Sequence, residues 1–237
     1  MRRESYFPMA KLRCLTISAS EPGRLADFYR RVFELSTVVE DGSDIALSDG
    51  VFTLAFINSS DHAPPGLHAA RFQAADLRAL RERIPGEIGK QGSFGSELCD
   101  PDGNRVELTE RAITVASKPG PFPVRHIAIY TPDPRRLAGF YGGVLQMKEV
   151  AYSDRSSIFV SDGYFNLALL FERPGEEKSG LNHFGFHVKD LEEMRDRAER
   201  AGVPRGDKRP DRIPFAEYRL HDPEGNGIDI SIKGWKV

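Results

Sequence analysis

The chain has 237 residues, 40% of them hydrophobic and 29% charged, with a formal net charge of −2. This is the composition of a soluble globular protein long enough for two ordinary domains, and its charge gives no electrostatic reason to expect nucleic acid or an anionic membrane as a partner. No apolar run approaches the roughly 20 residues that span a bilayer. The opening "MRRESYFPMAK" lacks the apolar stretch of a secretory signal, and Cys14 and Cys99 form neither a bridge framework nor a CxxC pair, so a cytoplasmic protein is expected.

In chain order, "KLRCLTISA" (11–19) alternates as a strand, and "EPGRLADFYRRVF" (21–33) reads as a helix with Pro22 in its first turn. "SDGVFTLAF" (48–56) continues as strand. "GLHAARFQAADL" (66–77) and "ELCDPDGNRVELTER" (97–111) add a further strand and a hairpin. "ERAITVASKPGPFPV" (110–124) is polar and then rich in Pro and Gly, which places a boundary near 113–122. Beyond it the same series returns. "RHIAIYT" (125–131) is a strand, and "DPRRLAGFYGGVL" (133–145) a helix with Leu137, Phe140, Tyr141 and Val144 on one face. "SSIFVSDG" (156–163), "FNLALLF" (165–171) and "HFGFHV" (183–188) are strands. "DLEEMRDRAERAG" (190–202) is a solvated amphipathic helix stopped by Gly202, and a hairpin turned at Pro223–Asn226 closes the series.

The two series superpose. Pro22/Pro134, Arg24/Arg136, Leu25/Leu137, Ala26/Ala138, Phe28/Phe140, Tyr29/Tyr141 and Val32/Val144 coincide without a gap, and "SDGVFTLAF" lies over "SDGYFNLAL". "DPDGNRVEL" lies over "DPEGNGIDI". Blocks repeated in one order mean a duplicated domain, expected over 9–112 and 123–237. Each half divides again into two strand–helix–strand–strand–strand units. The class is α+β, and the helical aromatics Phe28, Tyr29, Phe140 and Tyr141 are expected in the core.

Four such units, with "DPxGN" turns followed by an acid on the last strand, resemble the vicinal oxygen chelate superfamily. That group includes glyoxalases, bleomycin- and fosfomycin-resistance proteins, epimerases and extradiol dioxygenases. The resemblance implies two tandem incomplete barrels, most like the extradiol enzymes, in which the C-terminal barrel carries iron. Carried onto this chain, the family's ligand positions are His126, His183 and Asp229. Two imidazoles and a carboxylate form the facial triad of non-haem Fe(II) sites; Mn(II) or Zn(II) would accept the same ligands. A fourth family ligand would stand where this chain has Ala168, which favours open coordination positions and oxygenation. The matching N-terminal positions, Cys14, Ala69 and Glu107, make no hard-metal site, and His68 is one residue out of register. Glu107 is expected to be a relic or a satisfied polar group, and the first barrel to be structural.

The chain also departs from the extradiol pattern. Arg219 stands ten residues before Asp229, where those enzymes carry a tyrosine; Tyr218 is one residue off that register. Their additional histidine has no counterpart in "GDKRPDRIPFAEYR" (206–219). Arg219, His187 and Tyr130 are therefore the candidate catalytic groups, with Tyr164 a further choice for acid–base work, and Glu217, Phe215 and Asn166 the expected substrate contacts. His221, at the turn, is expected to be structural, and the basic loop 206–212 to lie over the barrel mouth. The implied function is Fe(II)-dependent dioxygenation of a small aromatic or enolic substrate chelated through vicinal oxygens, with O₂ as co-substrate. Two other readings stay open: glyoxalase-type lyase, isomerase or epimerase chemistry with Zn, Mn or Ni, and a binding protein that sequesters a drug-like ligand. A homodimer would cover exposed strand edges.

Overall fold

The computed structural model describes residues 8–41, 44–60, 62–84, 91–92, 95–152, 157–172, 179–211 and 215–237. The first seven residues of the opening segment and Arg212 of the basic loop lie outside this set. Each half contributes one eight-stranded sheet. The first half comprises β1 (Lys11–Ala19), α1 (Pro22–Phe33), β2 (Ser36–Asp41), β3 (Asp44–Ser48), β4 (Thr53–Asn58), β5 (Gly66–Gln73), α2 (Leu77–Arg81), β6 (Gln91–Gly92), β7 (Gly95–Cys99) and β8 (Arg105–Thr109). The second repeats it as β9 (Val124–Thr131), α3 (Pro134–Leu145), β10 (Lys148–Tyr152), β11 (Ile158–Ser161), β12 (Asn166–Phe171), β13 (Gly180–His187), α4 (Leu191–Arg200), β14 (Asp207–Lys208), β15 (Tyr218–His221) and β16 (Gly227–Ser231). Strand orders are β2-β3-β4-β1-β5-β8-β7-β6 and β10-β11-β12-β9-β13-β16-β15-β14. This is two tandem pairs of βαβββ units, the α+β architecture expected from the repeat.

The central strands are covered on both faces, which is why they read as near-continuous apolar runs. On β9, Ile127 and Ile129 enter the core under the helices, while His126, Ala128 and Tyr130 take the other parity. That second face is the inside of the curved sheet. It holds a small apolar cluster of Ala128, Phe159 and Ala168, with Leu170 and Phe215 packed against it.

The two halves share one core, joined by reciprocal contacts. Phe33 of α1 stacks on Phe186 of β13 at 3.8 Å, and Phe52 stacks on Phe165 at 4.7 Å. The acid of each "SDG" block accepts a backbone N–H from the other half: Asp49 from Val124 at 2.7 Å, Asp162 from Leu12 at 2.9 Å. The "DPxGN" turns behave likewise. Asp222 organises its own turn by accepting from the backbone of Glu224 and Asn226, and it also accepts the Tyr29 hydroxyl of α1 at 2.7 Å. Asp100 accepts the Tyr141 hydroxyl of α3 at 3.0 Å. The repeated acids thus satisfy donors across the seam, where an unpaired buried group would cost about 1–3 kcal/mol.

Candidate metal centre

His126, His183 and Asp229 lie on the adjacent strands β9, β13 and β16. Gly185 pairs with His126 on one side and with Asp229 on the other, and His183 pairs with Gly227. The register thus gives three side chains of one face with no bulk between them. Ile127, Ile228 and Ile230, their neighbours in sequence, point into the opposite core. A register shift between Leu181 and His183 sets the histidine onto the inner face. All three donors are buried, and one ligand atom from each lies within 4.8 Å of the others.

The hydrogen bonds fix the tautomers. Asn166 Nδ2 donates to the Lys236 carbonyl at 2.7 Å, so its Oδ1 accepts from His126 Nδ1 at 3.0 Å. The lone pair of His126 is left on Nε2. His183 Nδ1 donates in the same way to Asn182 Oδ1 at 2.9 Å. Its Nε2 lies 3.3 Å from Asp229 Oδ2, close enough for both atoms to reach one shared ion. Burial holds His126 neutral, with its pKa lowered to about 3, and lowers His183 as well. Burial acts to raise Asp229, but the His183 and Arg219 groups beside it outweigh that and hold it well below the usual carboxylate range. Neutral imidazoles and an ionised carboxylate are the protonation states a divalent metal requires. The donor set therefore fits such an ion.

Around the triad, Arg219 Nε donates to Asp229 Oδ1 at 2.6 Å, and its Nη2 is buried without a hydrogen-bond partner. Glu217, two residues earlier, has both carboxylate oxygens buried and without hydrogen-bond partners; Lys233 Nζ comes only to 4.0 Å of Oε1. Phe215 meets Phe159 edge to face at 5.2 Å on the apolar side of the chamber, beside Ala168. Asn166 is fully buried and committed to His126 and the Lys236 carbonyl, which makes it a support for the imidazole. Tyr130 is half-buried two positions beyond Ala128. His187 Nε2 is bonded to the Ile232 carbonyl at 3.2 Å, outside the triad. Tyr164 lies under the Arg125 guanidinium at 4.2 Å, and Tyr218 lies under Arg195.

One residue of this site has no signal in the repeat. The Trp235 indole stacks on His126 with centroids 5.0 Å apart and planes 5° from parallel. It fits because position 185 is glycine: a Cβ there would come within 2.6 Å of the indole. The glycine inside "HFGFHV" was the available clue, since strand glycines mark a close approach.

In the first barrel, Cys14 and Arg71 occupy the paired positions of His126 and Gly185, and Ala69 and Glu107 those of His183 and Asp229. Arg71 Nε donates to Glu107 Oε2 at 2.5 Å. Glu107 is thus a satisfied polar group, with a guanidinium as its counter-charge.

Residues 126–231 match the family model of a glyoxalase-like domain. The Mn(II)-bound glyoxalase from Novosphingobium aromaticivorans superposes with a TM-score of 0.71 at 16% identity, over 98% of this chain and 85% of that one. The 2,3-dioxygenase LapB from Pseudomonas sp. KL28 gives 0.70 at 16% identity, over 98% and 95%. A catechol 2,3-dioxygenase gives 0.71 at 18% identity, over 94% and 93%. The second half is thus similar to a glyoxalase-like domain, and the whole chain has the two-barrel fold of these enzymes. No curated protein matches it by sequence. Among the described residues, no helix is long and apolar enough to cross a membrane. The shared fold hosts several chemistries, so it does not choose among them.

Proposed function

We propose that the C-terminal barrel is the active site of an Fe(II)-dependent dioxygenase acting on a small aromatic or enolic substrate that chelates through two adjacent oxygens. The observation that carries this reading is the convergence of two neutral imidazoles and one carboxylate, with alanine at position 168 where a fourth ligand would stand. Divalent iron held by His126, His183 and Asp229 would supply substrate acidification and the redox chemistry that O₂ needs.

The chain's own groups supply the rest. Asn166 holds the His126 tautomer with Nε2 inward. Arg219 neutralises part of the Asp229 charge, and its Nη2 is placed to donate to an anionic substrate oxygen. Glu217 is a carboxylate without a hydrogen-bond partner on the same strand face, suited to take a hydroxyl proton at one of its oxygens. Phe215, Phe159 and Ala168 line an apolar side for the substrate ring, and Trp235 covers His126.

Glu217, whose oxygens have no hydrogen-bond partner, also favours a second reading, because proton transfer with a redox-inert metal needs only such a base. That reading is the glyoxalase-type lyase or isomerase. Purification without oxygen, metal analysis, and oxygen uptake with a panel of catechols separate the two. Bound iron with substrate-dependent oxygen uptake is expected. Zinc, manganese or nickel at full occupancy with no uptake, in the iron-reconstituted protein as well, would overturn the dioxygenase reading in favour of the second.

A further inference from the structure

The first barrel is hollow at the level where the second is filled by Trp235. Arg71 replaces Gly185 and is drawn to Glu107, and no indole covers the inner face there. A cavity of about 320 Å³ remains, open on one side, walled by Cys14, Thr16, Ala55 and Ile57 and bordered by the linker at residues 111–114. The Thr53 hydroxyl donates to the Thr114 carbonyl at 2.8 Å, which holds that wall in place.

We propose that this cavity is a second, metal-independent binding site for an uncharged apolar molecule about the size of two fused rings, carrying one hydroxyl or carbonyl oxygen. Size argues first: a cavity of roughly 150 Å³ accepts benzene, and this one has about twice that volume. Charge argues next. Arg71 and Glu107 neutralise one another at 2.5 Å, and the other two charged lining residues, Asp44 and Arg111, are exposed and of opposite sign, so a buried anion gains no net counter-charge. The polar handle is Thr16. It is 4% exposed, lies beside the Cys14 thiol, and its hydroxyl has no well-aligned hydrogen-bond partner. A ligand oxygen would satisfy it.

The proposal requires nothing of the metal centre, so its test is run on the full chain in excess chelator. Calorimetric titration with 2-naphthol is expected to give saturable one-site binding, with 2-naphthoate at least ten-fold weaker. Thr16→Val should weaken 2-naphthol several-fold without lowering the melting temperature, and Ala55→Trp should abolish binding by filling the cavity. Should Ala55→Trp fail to fold, Ala46→Phe at the half-buried wall is judged by the same criterion. Absence of saturable 2-naphthol binding, tighter binding of 2-naphthoate, or full binding in a folded cavity-filled variant would each overturn the assignment.

Discussion

Asn166 shows what a single residue contributes and why its role was hidden. In the sequence it is one polar residue opening an apolar strand, and a substrate contact was the natural expectation. Its amide instead links the C-terminal backbone to the ring of His126, so it acts through that imidazole. Asn166→Ala should weaken metal binding by about 10–100-fold, the usual effect of removing such a support. Trp235 is the chain's one tryptophan and stacks on His126, so its fluorescence during a metal titration reports the affinity directly. Equal affinities in the variant and the parent would count against the support role.

Protonation gives a second test at this scale. The folded protein keeps His126 at about 3 and His183 below its ordinary value, whereas both take up protons near 6.5 in the unfolded chain. Between those limits the unfolded state binds more protons. Stability of the metal-free protein is therefore complete above about pH 6.5 and declines as pH falls toward 3. Urea midpoints at pH 7.5 and 5 in chelator should show this decline, and His126→Phe should make it shallower. An unchanged slope in the variant would remove His126 from the account. The histidines and Asp229 were singled out by the family resemblance, and the duplicated sequence added an internal control, with Cys14, Ala69 and Glu107 at the same places. The indole that packs on Gly185 was not, because a strand glycine declares an approach without naming the partner.

At the scale of elements, strand–helix–strand–strand–strand order was readable throughout because Pro22 and Pro134 start helices and the core faces keep their parity. The purpose of the repeated acids was not readable. "SDG" and "DPxGN" look like ordinary turns, and the sequence does not say that their carboxylates reach the other half. Asp222 is raised above its ordinary pKa by burial, yet it still serves as acceptor for Tyr29, which remains protonated because burial and Asp222 raise it. Tyr29→Phe should therefore cost about 1–2 kcal/mol by leaving a buried carboxylate short of one donor. Tyr141→Phe should cost a similar amount at Asp100. Thermal melts of the two variants and their combination check this; no loss in either would mean that these hydroxyl–carboxylate bonds add nothing to the seam.

For the whole molecule, duplication created two barrels with different contents. The second holds a candidate ligand triad under a tryptophan, and the first holds an arginine–glutamate pair beside a cavity. The stacks Phe33–Phe186 and Phe52–Phe165 and the four reciprocal acids make the halves one cooperative unit. Calorimetry should accordingly record one unfolding transition with matching calorimetric and van't Hoff enthalpies. Two resolved transitions would show that the seam is weaker than its contacts imply.

The central claim is that one divalent ion binds per chain, in the later barrel. Metal content after oxygen-free purification measures it most directly, taken on the parent, on Asp229→Asn and on Glu107→Gln. One ion in the parent, little in the first variant and one in the second is the predicted outcome. Full metal in Asp229→Asn, or loss of it in Glu107→Gln alone, would contradict the account.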